Sequence, residues 1–352
     1  MLAPGQDHRT FVFYLVPEFT LLAFSSAIEA LRLANQVIGH EQYRWRLVSA
    51  DGHPVMASNG ICISAGRSLP EERARQYELP KPFMALVCSG RRVAEHADRS
   101  TEAWLRECRR RGIAVGALCT GTYLLARSGI IGERRCTIHW ENSPAFAEQF
   151  NGSSLTSGLF EVDDGIYTCA GGAASFDMML HLIGQEHGPR IVAEICSQAL
   201  ISRLRDKSER QRLPFASAQG VSNPIIKAAV HLMEDNLSDP IPLAELSRRL
   251  RLSRRQIERL FQNELQFSPA RYYLKLRLER ARLLLTQTSM AVVEIAVACG
   301  FVSASHFTKC YRLIDGRTPQ SERKSLPPPP AHRSGGGLTV PSTLSKPAQT
   351  AL

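Results

Sequence analysis

Leu252-Ser253-Arg254-Arg255-Gln256-Ile257 and Val302-Ser303-Ala304-Ser305-His306-Phe307 are two versions of one helix start, fifty residues apart. In each, a serine stands at the N-cap position after an apolar residue. In the first, Gln256 falls at the third helical position and completes a capping box, with Leu252 and Ile257 paired as a hydrophobic staple. The second predicts the same staple between Val302 and Phe307. The register holds further along: Leu260 matches Cys310, Phe261 matches Tyr311, and Ser268-Pro269 matches Thr318-Pro319. Ser-Pro and Thr-Pro both read as an N-cap followed by proline in the first turn, where its missing N–H costs nothing.

Upstream of each cap lies a short helical pattern, Leu243, Leu246 and Leu250 in the first copy and Val292, Ile295, Ala296 and Cys299 in the second. Short helix, tight turn and capped helix make a helix-turn-helix. Two copies are too few for a solenoid, which needs about three. Between them, Pro269 to Leu285 carries Tyr272, Leu276 and Leu283 at helical spacing and predicts a rigid linker helix. The second helix of such a unit enters the major groove, and two of them on one face of a duplex sit roughly 34 Å apart. The first leaves Arg254, Arg255, Glu258, Arg259 and Gln262 on its polar side; the second offers Ser303, Ser305, His306, Thr308 and Lys309. Arginine reads guanine and glutamine reads adenine bidentately, whereas other basic side chains hold phosphates. The first copy is therefore expected to supply more base-specific energy and the second more positioning.

The charge distribution agrees. Of the net +10, residues 221–324 hold 17 Lys+Arg against 10 Asp+Glu, whereas residues 1–200 hold 19 against 21. A basic module on a near-neutral partner is the electrostatic footprint of a phosphate binder. Composition with 44% hydrophobic residues excludes wholesale disorder. Nine widely spaced cysteines without a CxxC pair argue for reduced cytosolic thiols over a disulfide framework or zinc site. Met1 to Thr10 lacks an apolar signal core, and no uninterrupted apolar run is long enough to span a bilayer, so a cytoplasmic location is expected.

In the first two hundred residues, short apolar runs (Phe11 to Val16, Trp45 to Ser49, Phe83 to Cys88, Ile113 to Leu118) alternate with helical patterns (Leu21 to Ile38, Glu102 to Arg111, Gly121 to Arg127). This predicts an α/β domain around a largely parallel sheet, with any ligand at the carboxyl ends of its strands. At one such end Cys119 stands between a strand and a helix, with Gly116, Ala117 and Gly121 nearby. Small neighbours permit the strained turn of a nucleophile elbow, and a helix N-terminus favours thiolate. Thr137-Ile138-His139-Trp140-Glu141 brings imidazole, indole and carboxylate together, and Ala170-Gly171-Gly172-Ala173 is a further turn into a helix. Cys119, Thr120, His139 and Trp140 are the candidate ligand pocket. His139 reads equally as a structural residue, and His181 and His187 lack a metal-spaced partner, so neither metal nor cofactor is expected.

Residues 223–324 resemble the DNA-binding domain of AraC/XylS-family regulators through LSRRQIERLFQ, SPARYYLKLRLERARLLL, VVEIAVACGFVSASHFTKCYR and Thr318-Pro319. Residues 10–200 resemble the ThiJ/PfpI, class I glutamine amidotransferase-like fold through VPEFTLLAFSSAIEALRLAN, GALCTGTYLLARSGIIG and CTIHWEN. Together they are similar to AraC-family regulators with an amidotransferase-like sensor; YRWRLVSADG, DMMLHLIGQEHG and ERQRLPF come nearest to regulators of glycine betaine and carnitine catabolism. The resemblance implies a flavodoxin-like α/β domain with a parallel sheet, followed by an all-α domain of two helix-turn-helix units and a linker helix. It also shows departures. ThiJ/PfpI hydrolases commonly follow the elbow cysteine with histidine, where this chain has Thr120. Isonitrile hydratases, which share the Cys-Thr-Gly elbow, carry an acid on the first strand–helix connection, where this chain has Ala23. Without that carboxylate nothing evident activates the thiol.

The leading expectation is thus a metabolite-responsive transcription factor, an activator without a catalytic residue, acting as a homodimer with promoter double-stranded DNA, a small effector and RNA polymerase. A Cys-dependent hydrolase or hydratase fused to a DNA-binding domain is the alternative; an architectural DNA binder with an inert dimerisation domain is a third. A quaternary ammonium effector predicts cation–π contact with Trp140, Phe24 or Tyr123. The expected boundaries are a sensor and dimerisation domain over 1–204, a linker over 205–222, the DNA-binding domain over 223–324 and a disordered Pro/Gly/Ser-rich tail over 325–352. The basic residues Arg203, Arg205, Lys207, Arg210 and Arg212 before and within the linker read either as phosphate contacts or as solvated charges.

Overall fold

Four apolar runs of the N-terminal half form the centre of a seven-stranded sheet. The computed structural model describes residues 8–75, 80–211 and 223–324. Its strands are β1 (Arg9–Leu15), β2 (Tyr43–Ser49), β5 (Arg67–Ser68), β6 (Met84–Cys88), β7 (Ala114–Leu118), β10 (Phe160–Asp163) and β11 (Ile166–Cys169), in the order β10-β11-β7-β6-β1-β2-β5. All neighbours are parallel except the β10–β11 hairpin. Two short pairs flank it, β3 (Val55–Met56) with β4 (Cys62–Ile63) and β8 (Arg135–Cys136) with β9 (Ser154–Leu155). Because β6 and β7 are covered on both faces, they read as unbroken apolar runs and not as alternating patterns.

The helices are α1 (Leu21–Ile38), α2 (Leu69–Arg75), α3 (Arg99–Arg110), α4 (Thr122–Arg127), α5 (Ser143–Gln149) and α6 (Ala174–Gln198), the last kinked at Gly188-Pro189. α1 and α6 close one core over Phe13, Phe19, Phe24, Leu31 and Met179; α3, α4 and α5 close the other over Trp104, Leu105, Leu124 and Phe146. α1 is long and apolar enough to cross a membrane by mean hydropathy, although Ser25, Ser26, Glu29, Arg32, Asn35 and Gln36 interrupt its apolar residues. Here it is a core helix: Ala23, Phe24, Ala27, Ala30, Leu31 and Ala34 are buried, and Glu29 pairs with Arg32 on its outer face. α3 starts earlier than its apolar pattern because Asp98 caps it, accepting from the Ser100 and Thr101 amides.

The second half is all helical: α7 (Pro224–Glu234), α8 (Leu243–Leu250), α9 (Arg254–Leu265), α10 (Pro269–Gln287), α11 (Val292–Ala298), α12 (Ala304–Asp315) and α13 (Pro319–Lys324). α8–α9 and α11–α12 are the two helix-turn-helix units, each with its own core. α10 joins them, giving Tyr272, Tyr273 and Leu276 to the first core and Leu278, Ala281, Leu284 and Leu285 to the second. The first capping box forms as expected, with Gln256 N–H donating to Ser253 Oγ at 3.3 Å and Ser253 N–H to Gln256 Oε1 at 2.8 Å. Ser268 and Thr318 accept from the Arg271 and Ser321 amides.

The staple expected between Val302 and Phe307 does not form. Val302 is 99% exposed, and Phe301 packs on Phe307 instead, with ring centroids 5.1 Å apart. The left-handed residue of the first turn is Arg251, two before the cap, whereas in the second it is Gly300, three before the cap. The extra residue shifts the inward position from Val302 to Phe301. Arg277 of α10 secures this turn, donating to the Cys299 and Gly300 carbonyls at 2.7 Å each and lying over the Phe301 ring at 3.9 Å.

Candidate sensor site and nucleic-acid interface

β2 and β7 lie on opposite sides of the β1–β6 pair, so the chain reverses its direction of winding there and opens a crevice at the strand ends. The walls are the residues that follow the strands: Phe19 and Thr20 after β1, Ser89 and Gly90 after β6, Cys119 after β7 and Gly171-Gly172 after β11. A Phe19–Gly90 bridge closes the floor. Cys119 has φ +60°, the strained elbow anticipated from its small neighbours. Gly171, at φ +90°, is needed there twice over: besides that backbone conformation, a Cβ on it would lie 2.7 Å from Cys119 Cβ.

The elbow does not make a thiolate. Cys119 is 5% exposed, and burial pushes its thiol above the usual range. The Thr20 hydroxyl, 3.4 Å from Sγ, and the Thr120 N–H pull the other way, while Glu141 adds to the rise. The pull expected from the helix start is thus present but outweighed by desolvation. Ala23, where a proton-shuttling acid was sought, sits buried in the same apolar cluster as Cys119.

His139 joins Cys119, its N–H reaching the Cys119 carbonyl at 3.4 Å. Its ring packs on Trp140 with centroids 5.8 Å apart, and Nδ1 lies 3.9 Å from Glu141 Oε2. Burial holds this imidazole below its ordinary pKa, against the opposing pull of Glu141. Thr120 is 3% exposed and spends its hydroxyl on the Gly90 carbonyl, donating to it at 2.7 Å. Phe24 belongs to the core, edge-on to Phe13 and Phe19. Tyr123 packs on Phe150 and accepts from the Gln149 amide. Of the three aromatics named for a cation, Trp140 is the one whose ring packs on His139, next to the Cys119 carbonyl that the His139 backbone reaches. His181 accepts from Gln185 and His187 bonds Tyr43, away from the elbow.

Sequence reading missed Thr20 and Gln211. Thr20 occupies the N-cap of α1 without capping it, because its hydroxyl is spent on Cys119. The stretch read as a hinge is anchored over its described part. Arg205 forms a paired contact with buried Asp177, Lys207 O accepts from Leu159 N–H, and Gln211 Nε2 donates to Thr137 Oγ1, Ile138 O and Gly158 O. Arg203 pairs with Glu209 and Arg210 with Asp235, so each of these charges has an acidic partner within the chain. Residues 212–222, with Arg212, and the tail 325–352 lie outside the described residues.

On the basic half, Arg254, Arg255, Glu258, Arg259 and Gln262 all project from α9 into solvent, opposite buried Ile257, Phe261 and Leu265. None of these five has an ion-pair partner among the described residues. On α12, Ser305 and Lys309 are exposed and Thr308 half-buried; together with Arg312, Leu313 and Thr318 they line an open hollow of about 830 Å³. His306 turns back on its own unit, against Phe301 and 3.3 Å from Cys310 Sγ, and the Ser303 hydroxyl is spent on the cap. Arg312 went unread, although it stands fifty residues after Gln262 and so occupies the equivalent place.

Similarity to known proteins agrees with both halves. The DJ-1/PfpI family profile matches residues 9–185, and a helix-turn-helix domain profile matches residues 246–325. The HTH-type transcriptional regulators GbdR and CdhR of Pseudomonas aeruginosa are 44% and 39% identical to this chain. These matches cover 92% and 91% of it, and 88% and 93% of the relatives. The regulator ArgR of the same organism is 33% identical over 88% of this chain and 92% of its own length. The crevice and the two solvent-facing helices therefore have one reading: the chain belongs to the AraC/XylS-type helix-turn-helix transcriptional regulators that carry a DJ-1/PfpI domain as sensor.

Proposed function

We propose that a quaternary ammonium or amino-acid-like metabolite binds over Cys119, His139 and Trp140, and that this occupancy governs activation from a promoter read by α9 and α12. The reading rests chiefly on the grouping of a neutral thiol, a neutral imidazole and an indole near the Glu141 carboxylate. Such a lining suits a cation that carries no hydrogen-bond donor, held by the indole face and the carboxylate. It also fits the resemblance to regulators of glycine betaine and carnitine catabolism. Calorimetric titration with both compounds tests it; no heat at millimolar concentration removes this effector class.

His139 adds a pH signature. Its ordinary pKa is 6.5 and burial lowers it, so the ring is neutral at pH 7 and gains a proton only in acid. An imidazolium beside a bound ammonium repels it. Affinity for glycine betaine is expected to stay flat from neutral pH upward and to fall as pH drops through the lowered pKa. Tighter binding in acid would place His139 away from the ligand.

The thiol is read as lining. Cys119→Ser is expected to leave promoter activation within about twofold of wild type, because no step uses a thiolate. Loss of activation with ligand affinity intact would return the chemistry to this residue. In the same reading the sensor spans 1–204 and the DNA-binding domain 223–324, and the chain works in the cytoplasm as a homodimer that contacts RNA polymerase.

A further inference from the structure

The segment that walls the crevice also holds the other half of the protein. On one side of residues 137–148, His139 N–H meets the Cys119 carbonyl, and Thr137 O accepts from the Thr122 hydroxyl at 2.8 Å. On the other side, Glu141 O accepts from Gln287 Nε2 at 2.9 Å, and Glu148 Oε1 accepts from Arg280 Nη2 at 3.1 Å. Gln287 and Arg280 are two turns apart on α10, the helix that carries both helix-turn-helix units.

A second strap runs in parallel. Gln211 Nε2 is seated on Thr137 and Ile138, and its neighbour Arg210 reaches both Asp235 oxygens at 3.0 Å and Glu234 at 3.5 Å, at the end of α7. Two elements of the DNA-binding domain are thus tied to one twelve-residue stretch beside Cys119. The hydrogen bonds and ion pairs named here are polar and partly solvated, the kind of contact that exchanges readily. They leave the polar faces of α9 and α12 open to solvent, so what they fix is orientation, not access.

We propose that residues 137–148 are a two-sided latch: a ligand moving His139 and Trp140 changes the hold of Glu141, Glu148 and Gln211–Arg210 on α10 and α7, and with it the placement of the DNA-binding domain. The ligand-driven part rests on the site proposed above; the mechanical part does not. Coupling of this kind is reciprocal, so disturbing the far side must reach Cys119.

The test uses the full chain without effector. Glu148→Arg, Arg280→Glu and the doubly reversed pair are compared by deuterium exchange over residues 137–148 and by the iodoacetamide alkylation rate at Cys119, mapped by peptide mass spectrometry, with exposed Cys62 as internal control. Each single reversal is expected to raise both readouts about threefold or more, with Cys62 unchanged, and the double reversal to return them to wild-type values. Unchanged alkylation at Cys119 in the single variants overturns the latch, as does failure of the double variant to restore it. Neither readout needs a ligand, so the latch can fail while betaine binding stands, and betaine binding can fail while the latch stands.

Discussion

Phe307→Ala is expected to unfold the second helix-turn-helix unit while leaving the first one standing. The Phe307 ring is fully buried, between Phe301 at 5.1 Å and Tyr311 at 5.6 Å, in a core that shares no buried residue with that of the first unit. Truncating a buried phenylalanine costs about 3–5 kcal/mol, the transfer term plus the cavity it leaves. Whole domains hold only about 5–15 kcal/mol, and this core is half of one domain. Deuterium exchange should rise across α11–α13 and stay low in α9, the melt should shift down by more than about 10 °C, and a promoter footprint should shrink to one groove. Two protected grooves with an unshifted melt would show that the second unit does not rest on this ring.

Arg255→Ala is expected to weaken promoter binding by a factor of about 5 to 150, the loss of one bidentate base contact worth about 1–3 kcal/mol. Arg255 is the second residue of α9, exposed and without an ion-pair partner among the described residues, so its guanidinium is free to reach a guanine edge. Lys309→Ala on α12 should behave differently. As a phosphate contact it should lower affinity on all sequences alike and reduce the salt slope by about one. An Arg255→Ala affinity equal to wild type would make this residue part of a solvated face. An equal loss on unrelated DNA would make it a phosphate contact instead.

The sequence was most legible where function depends on periodicity and caps. Ser253, Ser268, Ser303 and Thr318 cap the helices expected of them because a cap is a local bond between residues two or three apart. The failure at Val302 is of the same local kind: the fifty-residue register is kept at the caps, but the turn before the second cap begins one residue earlier. Arg312 was legible through that register and was passed over. Thr20 was not, since a threonine at a helix start ordinarily caps it, and only the sheet order, with β1 and β7 on either side of β6, puts Sγ of Cys119 within its reach.

Local pattern alone thus determined the two helix-turn-helix units, their linker helix, the location of the basic charge and the strained elbow at Cys119. All of these arise from contacts a few residues apart or from the covalent identity of the side chains. Only the tertiary structure decided that the thiol stays protonated, because its pKa is set by burial from elements scattered between Thr20 and Gly171. Only it decided that the Thr120 hydroxyl is spent on Gly90 and Phe24 packs into the core, while the His139 backbone reaches Cys119 and its ring packs on Trp140. The contacts tying Glu141, Glu148 and Arg210 to α10 and α7 likewise join residues 25 to 146 positions apart. No spacing rule in the chain encodes such pairs, because they join elements far apart in sequence that only the folded chain brings together.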